Sequence, residues 1–150
     1  MERMRRLTPN VSVASQISEE DVARLAALGF RTIVNNRPDG ETPNQPPGAA
    51  IRAAAARHGL AYVDVPVVSG QLTEDDVAAA QMVLARADGP VLMFCNSGTR
   101  STALWALAEA HHLDPDTILA TARDAGYDLG GLRAALAYRW QNGDGAHSRH

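Results

Sequence analysis

The sequence predicts an α/β fold with three layers, a central and mostly parallel sheet of about four strands, and an all-helical C-terminal third. Short runs of β-branched and apolar residues alternate with stretches of helical periodicity over the first two thirds of the chain. The run Val91-Leu92-Met93-Phe94 is apolar on both faces, as in a central strand of a parallel sheet. No strand candidate follows Phe94. The 150 residues fit one domain, which we place at residues 1–143, with a flexible tail over 144–150.

The predicted strands cover residues 11–14, 32–34, 60–65 and 91–94. Ser18 and Thr73 each precede a helical pattern and have an aspartate three positions later, as in a capping box. A further helix is predicted over residues 49–58, where Gly59 ends it. Residues 36–48 are rich in Pro, Gly and Asn and form a loop within the domain.

Three helices are predicted after residue 99. The first begins near Arg100, and the second begins at Asp114-Pro115 and ends near Gly126. The third follows the apolar spacing of Leu129, Leu132, Leu136 and Trp140. At the other end of the chain, Arg3, Arg5 and Arg6 form a short basic cluster that we interpret as a solvated tail.

Composition excludes several functions. The net charge is −3 and no basic stripe is present, so the sequence predicts no nucleic-acid partner. No apolar run approaches the ~20 residues that span a bilayer, so no membrane partner is expected. The N-terminal arginines precede no apolar segment of a secretory signal. A single cysteine cannot form an intramolecular disulfide, which fits a reducing compartment, and a cytoplasmic location is expected.

The residues that carry chemistry follow the predicted central strand, in the segment Cys95-Asn96-Ser97-Gly98-Thr99-Arg100-Ser101. Open α/β folds bind ligands at such a strand–loop–helix junction. Small residues and Gly98 let the backbone amides of residues 96–100 turn inward around an anion, and the following helix N-terminus adds partial positive charge. Arg100 adds a planar guanidinium suited to an oxyanion.

These features favour the thiolate form of Cys95, which is the nucleophilic form of a cysteine. Ser101 is expected to donate a hydrogen bond to that thiolate. A lone cysteine at a strand end is more often a small buried apolar residue. The combination of Cys, Gly, Arg and Ser at one junction favours the catalytic interpretation here.

This loop resembles those of the cysteine-loop enzymes, which include protein tyrosine phosphatases and rhodaneses. In phosphatases of this type five residues separate the Cys from the Arg. Here Asn96, Ser97, Gly98 and Thr99 make four, a spacing similar to that of rhodanese-type sulfurtransferases. A shorter loop suits a persulfide sulfur or sulfite better than a phosphate ester.

The order of the predicted elements resembles that of dual-specificity phosphatases and so implies a protein-tyrosine-phosphatase-like fold. The combination with the shorter loop is similar to the beta-lactamase-hydrolase-like family. The resemblance covers about residues 8–142. It is carried by residues 29–41 (GFRTIVNNRPDGE), 62–70 and 125–129 (AGYDL).

Two departures from phosphatases bear on the reaction. Phe94 stands where those enzymes have a histidine before the cysteine. Their general acid is an aspartate on the loop that corresponds to residues 66–70, and this loop has no carboxylate. Asp64 is the nearest carboxylate, and its strand position favours a structural role. Ester hydrolysis needs a proton donor for the leaving oxygen, whereas sulfite leaves thiosulfate without one.

The resemblance therefore implies a sulfurtransferase in which Cys95 takes sulfane sulfur from thiosulfate or a glutathione persulfide and passes it to a thiol, cyanide or sulfite. A phosphatase with a phosphocysteine intermediate is the alternative. A noncatalytic anion- or persulfide-binding module is a third interpretation. Domains of this family occur fused to persulfide dioxygenases, which suggests such an enzyme as a partner.

Arg37, in the loop after the second predicted strand, is either a second anion contact or a surface arginine. The five histidines show no metal-ligand spacing, so no metal is predicted. The proposed reaction needs no organic cofactor.

Overall fold

The computed structural model describes residues 4–143 and contains a five-stranded sheet flanked by helices. The strands are β1 (Met4–Thr8), β2 (Val11–Ala14), β3 (Thr32–Asn35), β4 (Ala61–Asp64) and β5 (Val91–Phe94). The helices are α1 (Glu19–Ala27), α2 (Gly48–Arg57), α3 (Glu74–Arg86), α4 (Thr99–Glu109), α5 (Pro115–Asp124) and α6 (Arg133–Asn142), with a 3₁₀ turn at Gly130–Leu132. The predicted tail over 144–150 lies outside the described residues.

The strands are arranged in the order β1-β2-β5-β3-β4, and all neighbours are parallel except β1 and β2. The predicted fold class is therefore confirmed, including the central position of β5. The parallel strands end together at one side, which we call the carboxyl edge, at Ala14, Asn35, Asp64 and Phe94. Ligand sites of open α/β sheets form at this edge.

Two apolar cores cover the two faces of the sheet. Alternating side chains of β5 point to opposite faces, so Leu92 and Phe94 pack in one core and Val91 and Met93 in the other. The first core includes residues of α1 and α2, and the second is formed with α3, α4, α5 and α6. These are the three predicted layers.

The strand β1 was not predicted, because Arg5 and Arg6 were interpreted as part of a solvated tail. That interpretation is wrong for residues 4–8, which pair antiparallel with β2. Both arginines are exposed while Leu7 is buried in the second core. Charged side chains are common on edge strands, where they discourage pairing with other chains.

The helix starts follow the predicted capping chemistry. Ser18 accepts a hydrogen bond from the amide of Asp21, whose carboxylate accepts from the amide of Ser18. Thr73 and Asp76 form the same reciprocal pair. Within residues 4–143 no helix is long and apolar enough to cross a bilayer.

Candidate active site

Cys95 lies directly after β5 at the carboxyl edge of the sheet. Its amide donates to the carbonyl of Ala14 (3.3 Å), which continues the pairing between β5 and β2 by one residue. The thiol is unpaired with any other cysteine, and the residue is fully buried. The sulfur therefore lies at the base of the loop, enclosed by the residues that follow it.

Gly98 shapes the loop around the sulfur. Its amide donates to Cys95 Sγ (3.1 Å), and its carbonyl accepts from the amide and hydroxyl of Thr102 (3.0 and 2.7 Å). Its φ angle of +91° lies in the left-handed region, which favours glycine. A Cβ at this position would overlap the hydroxyl of Tyr127. Both the backbone angle and the space around it require glycine.

The predicted ring of inward amides is only partly formed. In the described part of the chain, the Gly98 amide is the one loop amide that donates to Sγ. The amide of Thr99 donates to Ser97 Oγ (3.4 Å), and the Ser97 and Thr99 hydroxyls lie 3.0 Å apart. The carbonyl of Asn96 accepts a hydrogen bond from the amide of Gln16 (3.2 Å). Binding of a substrate anion by the amides of residues 96–100 stays a prediction.

Arg100, in the first turn of α4, makes a two-pronged ion pair with Glu41. Its Nη1 lies 2.6 Å from Glu41 Oε2 and its Nη2 lies 2.9 Å from Oε1, while Nη1 also donates to the carbonyl of Val67 (2.9 Å). The hydrogen bonds to Glu41 raise the pKa of Arg100, burial opposes that shift, and the nearby charge of Cys95 raises it further. The guanidinium is thus next to the sulfur and already holds a carboxylate.

Glu41 brings negative charge to the site from the loop after β3. It accepts hydrogen bonds from Arg100 and from Arg37 Nε (3.0 Å). The bond from Arg100 lowers the pKa of Glu41 most, partial burial opposes this, and the bond from Arg37 lowers the pKa further. Glu41 is therefore an ionised acceptor at neutral pH. The sequence analysis did not predict that Glu41 would pair with Arg100.

Arg37 is buried, so the surface-arginine interpretation is wrong. Its side chain is only 4% exposed, and its guanidinium contacts Glu41, the side-chain oxygen of Gln16 (3.0 Å) and the hydroxyl of Thr42 (3.4 Å). All three guanidinium nitrogens have protein partners: Nε binds Glu41, while Nη1 and Nη2 bind Gln16 and Thr42 and hold the guanidinium in place. Direct binding of an anion by Arg37 stays a prediction.

Ser101 does not make the predicted hydrogen bond to the sulfur. Its hydroxyl donates to Asn36 Oδ1 (2.8 Å), and Asn36 Nδ2 donates to the carbonyl of Val65 (2.9 Å). Both side chains are fully buried. Ser101 and Asn36 therefore join α4 to the ends of β3 and β4, and hold the loop in register with the sheet.

Tyr127 is a site residue that the sequence analysis did not single out, although it lies in the AGYDL segment. Its hydroxyl donates to the carbonyl of Ser97 (3.2 Å) and covers Gly98. Burial and the charge of Cys95 raise the pKa of Tyr127. Tyr127, Ser97 and Asn96 also line a cavity of about 510 Å³ beside the loop. A larger cavity of about 680 Å³ lies at the opposite edge, around Asn10 and Gly89, away from Cys95.

The arrangement can carry out nucleophilic group transfer. A thiolate at Cys95 would have one amide donor, a nearby guanidinium and a helix N-terminus to stabilise it. Residues 65–72, the loop after β4, contribute a carbonyl but no carboxylate. Among residues 4–143 no three His, Cys, Asp or Glu side chains are grouped as metal ligands.

Comparisons with known proteins agree with this geometry. Residues 3–112 match the family model of the beta-lactamase hydrolase-like protein, phosphatase-like domain. The beta-lactamase hydrolase-like protein of Xylella fastidiosa (strain Temecula1) is 40% identical over 126 residues, which are 83% of this chain and 29% of that protein. The protein of the same name from Agrobacterium fabrum is 40% identical over 105 residues, 70% of this chain and 24% of that protein. The chain thus spans less than a third of these relatives.

Solved structures show the same fold. A protein from Neisseria meningitidis Z2491 that carries a provisional phosphatase name has a TM-score of 0.80 and 30% identity, covering 93% of this chain and 99% of its own. The phosphatase Tk-PTP in its active form has a TM-score of 0.72 and 14% identity, covering 93% and 97%, and so shows the fold alone.

These findings support a cysteine-based, phosphatase-like family, and they favour the phosphatase alternative over sulfurtransfer, for which they provide no direct support. The chain therefore belongs to the beta-lactamase hydrolase-like protein family, in which it corresponds to the phosphatase-like domain.

Proposed function

We propose that this domain transfers sulfane sulfur through a persulfide on Cys95. The observation that carries the proposal is the ionised state of Glu41, the carboxylate that pairs with Arg100. Glu41 is held ionised between Arg37 and Arg100, and the loop of residues 65–72 supplies no carboxylate. Among the described residues the site therefore has a nucleophile and two guanidinium groups but no protonated carboxyl group that could act as the general acid.

The absence of an acid among these residues affects the two candidate reactions differently. An alkoxide leaving group needs a proton, and its positioned donor typically contributes about 100- to 10,000-fold to the rate. Sulfite is a stable anion that leaves thiosulfate with the electron pair of the broken S–S bond. A site with an ionised Glu41 is thus better suited to expel sulfite than to expel an alkoxide.

The proposed reaction has two steps. The Cys95 thiolate attacks the outer sulfur of thiosulfate, the new Sγ–S bond forms, and sulfite departs with the electrons of the old S–S bond. An acceptor then attacks the outer sulfur of the Cys95 persulfide, and Cys95 leaves as a thiolate. Gly98 supplies a hydrogen bond to Sγ, which stabilises the thiolate between turnovers.

Access to the enclosed sulfur has to involve the side chains above it. We propose that the anionic donor replaces Glu41 on one prong of Arg100, because both groups are anions that suit the same guanidinium. Arg37 would keep Glu41 close to the site during this exchange. The Arg100 side chain is 14% exposed and that of Glu41 27%, so both border on solvent.

The second candidate function is a phosphatase that forms a phosphocysteine at Cys95. The comparisons support it better than sulfurtransfer, because the family model and the Neisseria meningitidis neighbour both carry phosphatase names. A noncatalytic anion- or persulfide-binding module remains the third. A persulfide dioxygenase as partner is a proposal that rests on the family resemblance alone. A cytoplasmic location is a proposal that rests on the single cysteine, which fits a reducing compartment.

The test compares two reactions in the wild type and in Cys95→Ser. We expect Cys95-dependent transfer from thiosulfate to cyanide and little hydrolysis of p-nitrophenyl phosphate. Thermal unfolding of both proteins controls for loss of fold. Hydrolysis without sulfur transfer would establish the phosphatase instead. If neither reaction depends on Cys95, isothermal titration with thiosulfate and phosphate tests the binding module.

A further inference from the structure

Within the described part of the chain, the one amide that donates to Cys95 Sγ belongs to a peptide group that is held at both ends. The amide of Gly98 donates to Sγ (3.1 Å), and the carbonyl of Ser97, in the same peptide group, accepts from the hydroxyl of Tyr127 (3.2 Å). The carbonyl and the N–H of a trans peptide lie in one plane and point in opposite directions, and the described residues contain no cis peptide. A partner that fixes the carbonyl therefore also fixes the direction of the N–H.

The end of α5 places Tyr127 above this peptide group. The amide of Gly126 donates to the carbonyl of Arg123 (2.9 Å). The amide of Tyr127 donates to the carbonyl of Ala122 (2.9 Å), which completes the two hydrogen bonds of a Schellman motif. The ring of Tyr127 packs against the second core, and its hydroxyl lies so close to Gly98 that a Cβ there would overlap it. The position of the phenol is thus set by α5 and the core rather than by the loop itself.

Without the Tyr127 hydroxyl, the Ser97–Gly98 peptide group has a second orientation open to it. Gly98 has no Cβ and accepts φ angles of either sign, so the backbone itself offers little resistance to a flip of the preceding peptide group. The flip would turn the carbonyl oxygen of Ser97 toward Sγ and the amide of Gly98 away. A carbonyl oxygen repels a thiolate because both carry negative charge, whereas the amide stabilises it. The orientation of this one peptide group therefore affects how readily Cys95 ionises.

The next peptide group of the loop is also held, but it does not contact the sulfur. The carbonyl of Gly98 accepts from the amide and the hydroxyl of Thr102 (3.0 and 2.7 Å). The N–H of that peptide group, which is the amide of Thr99, donates to Ser97 Oγ (3.4 Å). Tyr127 thus holds the peptide group that contacts Sγ, and Thr102 holds the one that does not.

We propose that Tyr127 is a positioning residue for the Cys95 nucleophile, because its hydroxyl holds the Ser97–Gly98 peptide group with the N–H toward the sulfur. The same hydrogen bond polarises the peptide group, which makes its N–H a stronger donor to a thiolate. The phenol stays protonated in this role, since burial and the charge of Cys95 raise the pKa of Tyr127. The inference concerns the nucleophile alone, and so it applies equally to transfer of sulfane sulfur and of a phosphoryl group.

The test measures the ionisation of Cys95 in Tyr127→Phe, which removes the hydroxyl and keeps the ring beside Gly98. The ultraviolet absorbance of the thiolate is followed against pH, and the same titration of each protein carrying Cys95→Ser supplies the baseline that includes tyrosine. Tyr138→Phe, which removes the hydroxyl of a 69% exposed tyrosine in α6, is the matched control. Thr102→Val removes the hydroxyl that holds the other peptide group of Gly98. Thermal unfolding shows that each variant is folded.

We expect Tyr127→Phe to raise the midpoint of the thiolate titration by about one pH unit, because a hydrogen bond to an ionised group contributes about this much or more. Tyr138→Phe should leave the midpoint unchanged. Thr102→Val should lower the melting temperature but shift the midpoint less than Tyr127→Phe does. Equal shifts in Tyr127→Phe and Thr102→Val, or the same midpoint in Tyr127→Phe and the wild type, would overturn the inference.

The pH dependence of turnover separates positioning from a general disturbance of the site. The assay is the Cys95-dependent reaction that the wild type performs, either thiosulfate:cyanide transfer or hydrolysis of p-nitrophenyl phosphate. In Tyr127→Phe, kcat/KM should be about tenfold lower than in the wild type below both midpoints and equal to it above them. A deficit that persists at every pH would contradict the positioning role. The absorbance titration needs no turnover, so it decides the inference even if the proposed sulfur transfer fails.

Discussion

The loops that follow β3 and β4 both reach Arg100, but they bring different groups to it. The loop after β3 supplies Glu41, which pairs with Arg100 through both carboxylate oxygens. The loop after β4 supplies only the carbonyl of Val67. In the phosphatases that the fold resembles, the second of these loops carries the acid. Here the carboxylate comes from the first loop and is fixed by two guanidiniums, which makes it an anion rather than a proton donor.

This difference predicts that sulfur transfer depends more on the Arg100 guanidinium than on any general acid. Arg100→Lys keeps the charge but loses the planar fork that holds Glu41 and an anionic donor. We expect kcat/KM for thiosulfate:cyanide transfer to fall about 100-fold, in the range seen when a group that stabilises transition-state charge is removed. Arg133→Lys changes an exposed arginine paired with Asp116, far from the loop in sequence, and serves as the control. Equal activity of Arg100→Lys and the wild type would contradict the role of the fork.

Gly98 and Gly29 test the geometry of the sulfur loop against that of an ordinary helix end. Their φ angles are +91° and +94°, so alanine is strained at both, at about 1 kcal/mol or more each. Only at Gly98 would the new Cβ also overlap Tyr127, because Gly29 has no atom within 4 Å of that position. We expect Gly98→Ala to lower sulfurtransfer at least tenfold, about 1.4 kcal/mol in the barrier.

Gly29→Ala should lower only the melting temperature. Chemical denaturation and initial rates measured on the same samples distinguish the two effects. If both variants lose activity equally, the loop has no special dependence on Gly98.

The Glu41→Gln substitution distinguishes two possible roles of Glu41, an ionised hydrogen-bond acceptor and a general acid. If Glu41 is an ionised acceptor, as proposed, Glu41→Gln should change kcat for sulfur transfer less than tenfold at neutral pH and lower KM for thiosulfate, because Arg100 is freed from a competing carboxylate. A general acid would be worth about 100-fold or more in ester hydrolysis. A loss of that size in p-nitrophenyl phosphate turnover would show that Glu41 donates a proton and would favour the phosphatase.

The same variant has a pH-dependent effect on stability. The pKa of folded Glu41 lies below its ordinary value of 4.5, so its pairing stabilises the fold fully above about that pH. The stabilisation is lost as pH falls through the lower folded pKa. We expect wild type to be more stable than Glu41→Gln by about 1–2 kcal/mol at pH 7, and the difference to shrink below pH 4.5. Denaturant-induced unfolding at several pH values across this range measures the difference in stability. Glu19→Gln, which removes the exposed ion pair of Glu19 with Arg57, is the control.

The smallest expected effect concerns Tyr127. Burial and the charge of Cys95 raise its pKa above the ordinary value of 10.0. Removing that charge in Cys95→Ser should therefore shift the Tyr127 titration slightly toward lower pH. Difference absorbance of tyrosinate, with Tyr127→Phe to assign the signal, records the shift. An unchanged titration would place Tyr127 outside the influence of the sulfur.

The sequence predicted those parts of the fold that depend on local chemistry. Capping pairs at Ser18 and Thr73 act over three residues, and the apolar run of β5 needs burial on both faces, so both are readable from one segment. The strand β1 was missed because Arg5 and Arg6 are exposed on an edge strand, where charge is as compatible with a strand as with a tail. The turn at Pro9-Asn10, between Leu7 and Val11, is the signal that indicates a hairpin.

From the sequence, the site could be predicted only for residues that lie within one loop. Cys95, Gly98 and Arg100 fall within six residues, so their proximity follows from the strand–loop–helix pattern. The pairing of Arg100 with Glu41 joins residues 59 apart, and the path of the loop after β3 sets it. The contact of Ser101 with Asn36 likewise depends on how α4 packs against the sheet. Such contacts between distant segments have no signature in a single sequence.

The most direct test of sulfur transfer is the mass of the protein after incubation with thiosulfate. Because Cys95 is the only cysteine in the chain, any persulfide has one possible location. The proposed mechanism predicts that intact-protein mass spectrometry will find one added sulfur atom, removable by dithiothreitol or cyanide and absent in Cys95→Ser. An unmodified mass in the wild type, together with a trapped phosphocysteine after incubation with p-nitrophenyl phosphate, would contradict sulfur transfer and establish the phosphatase.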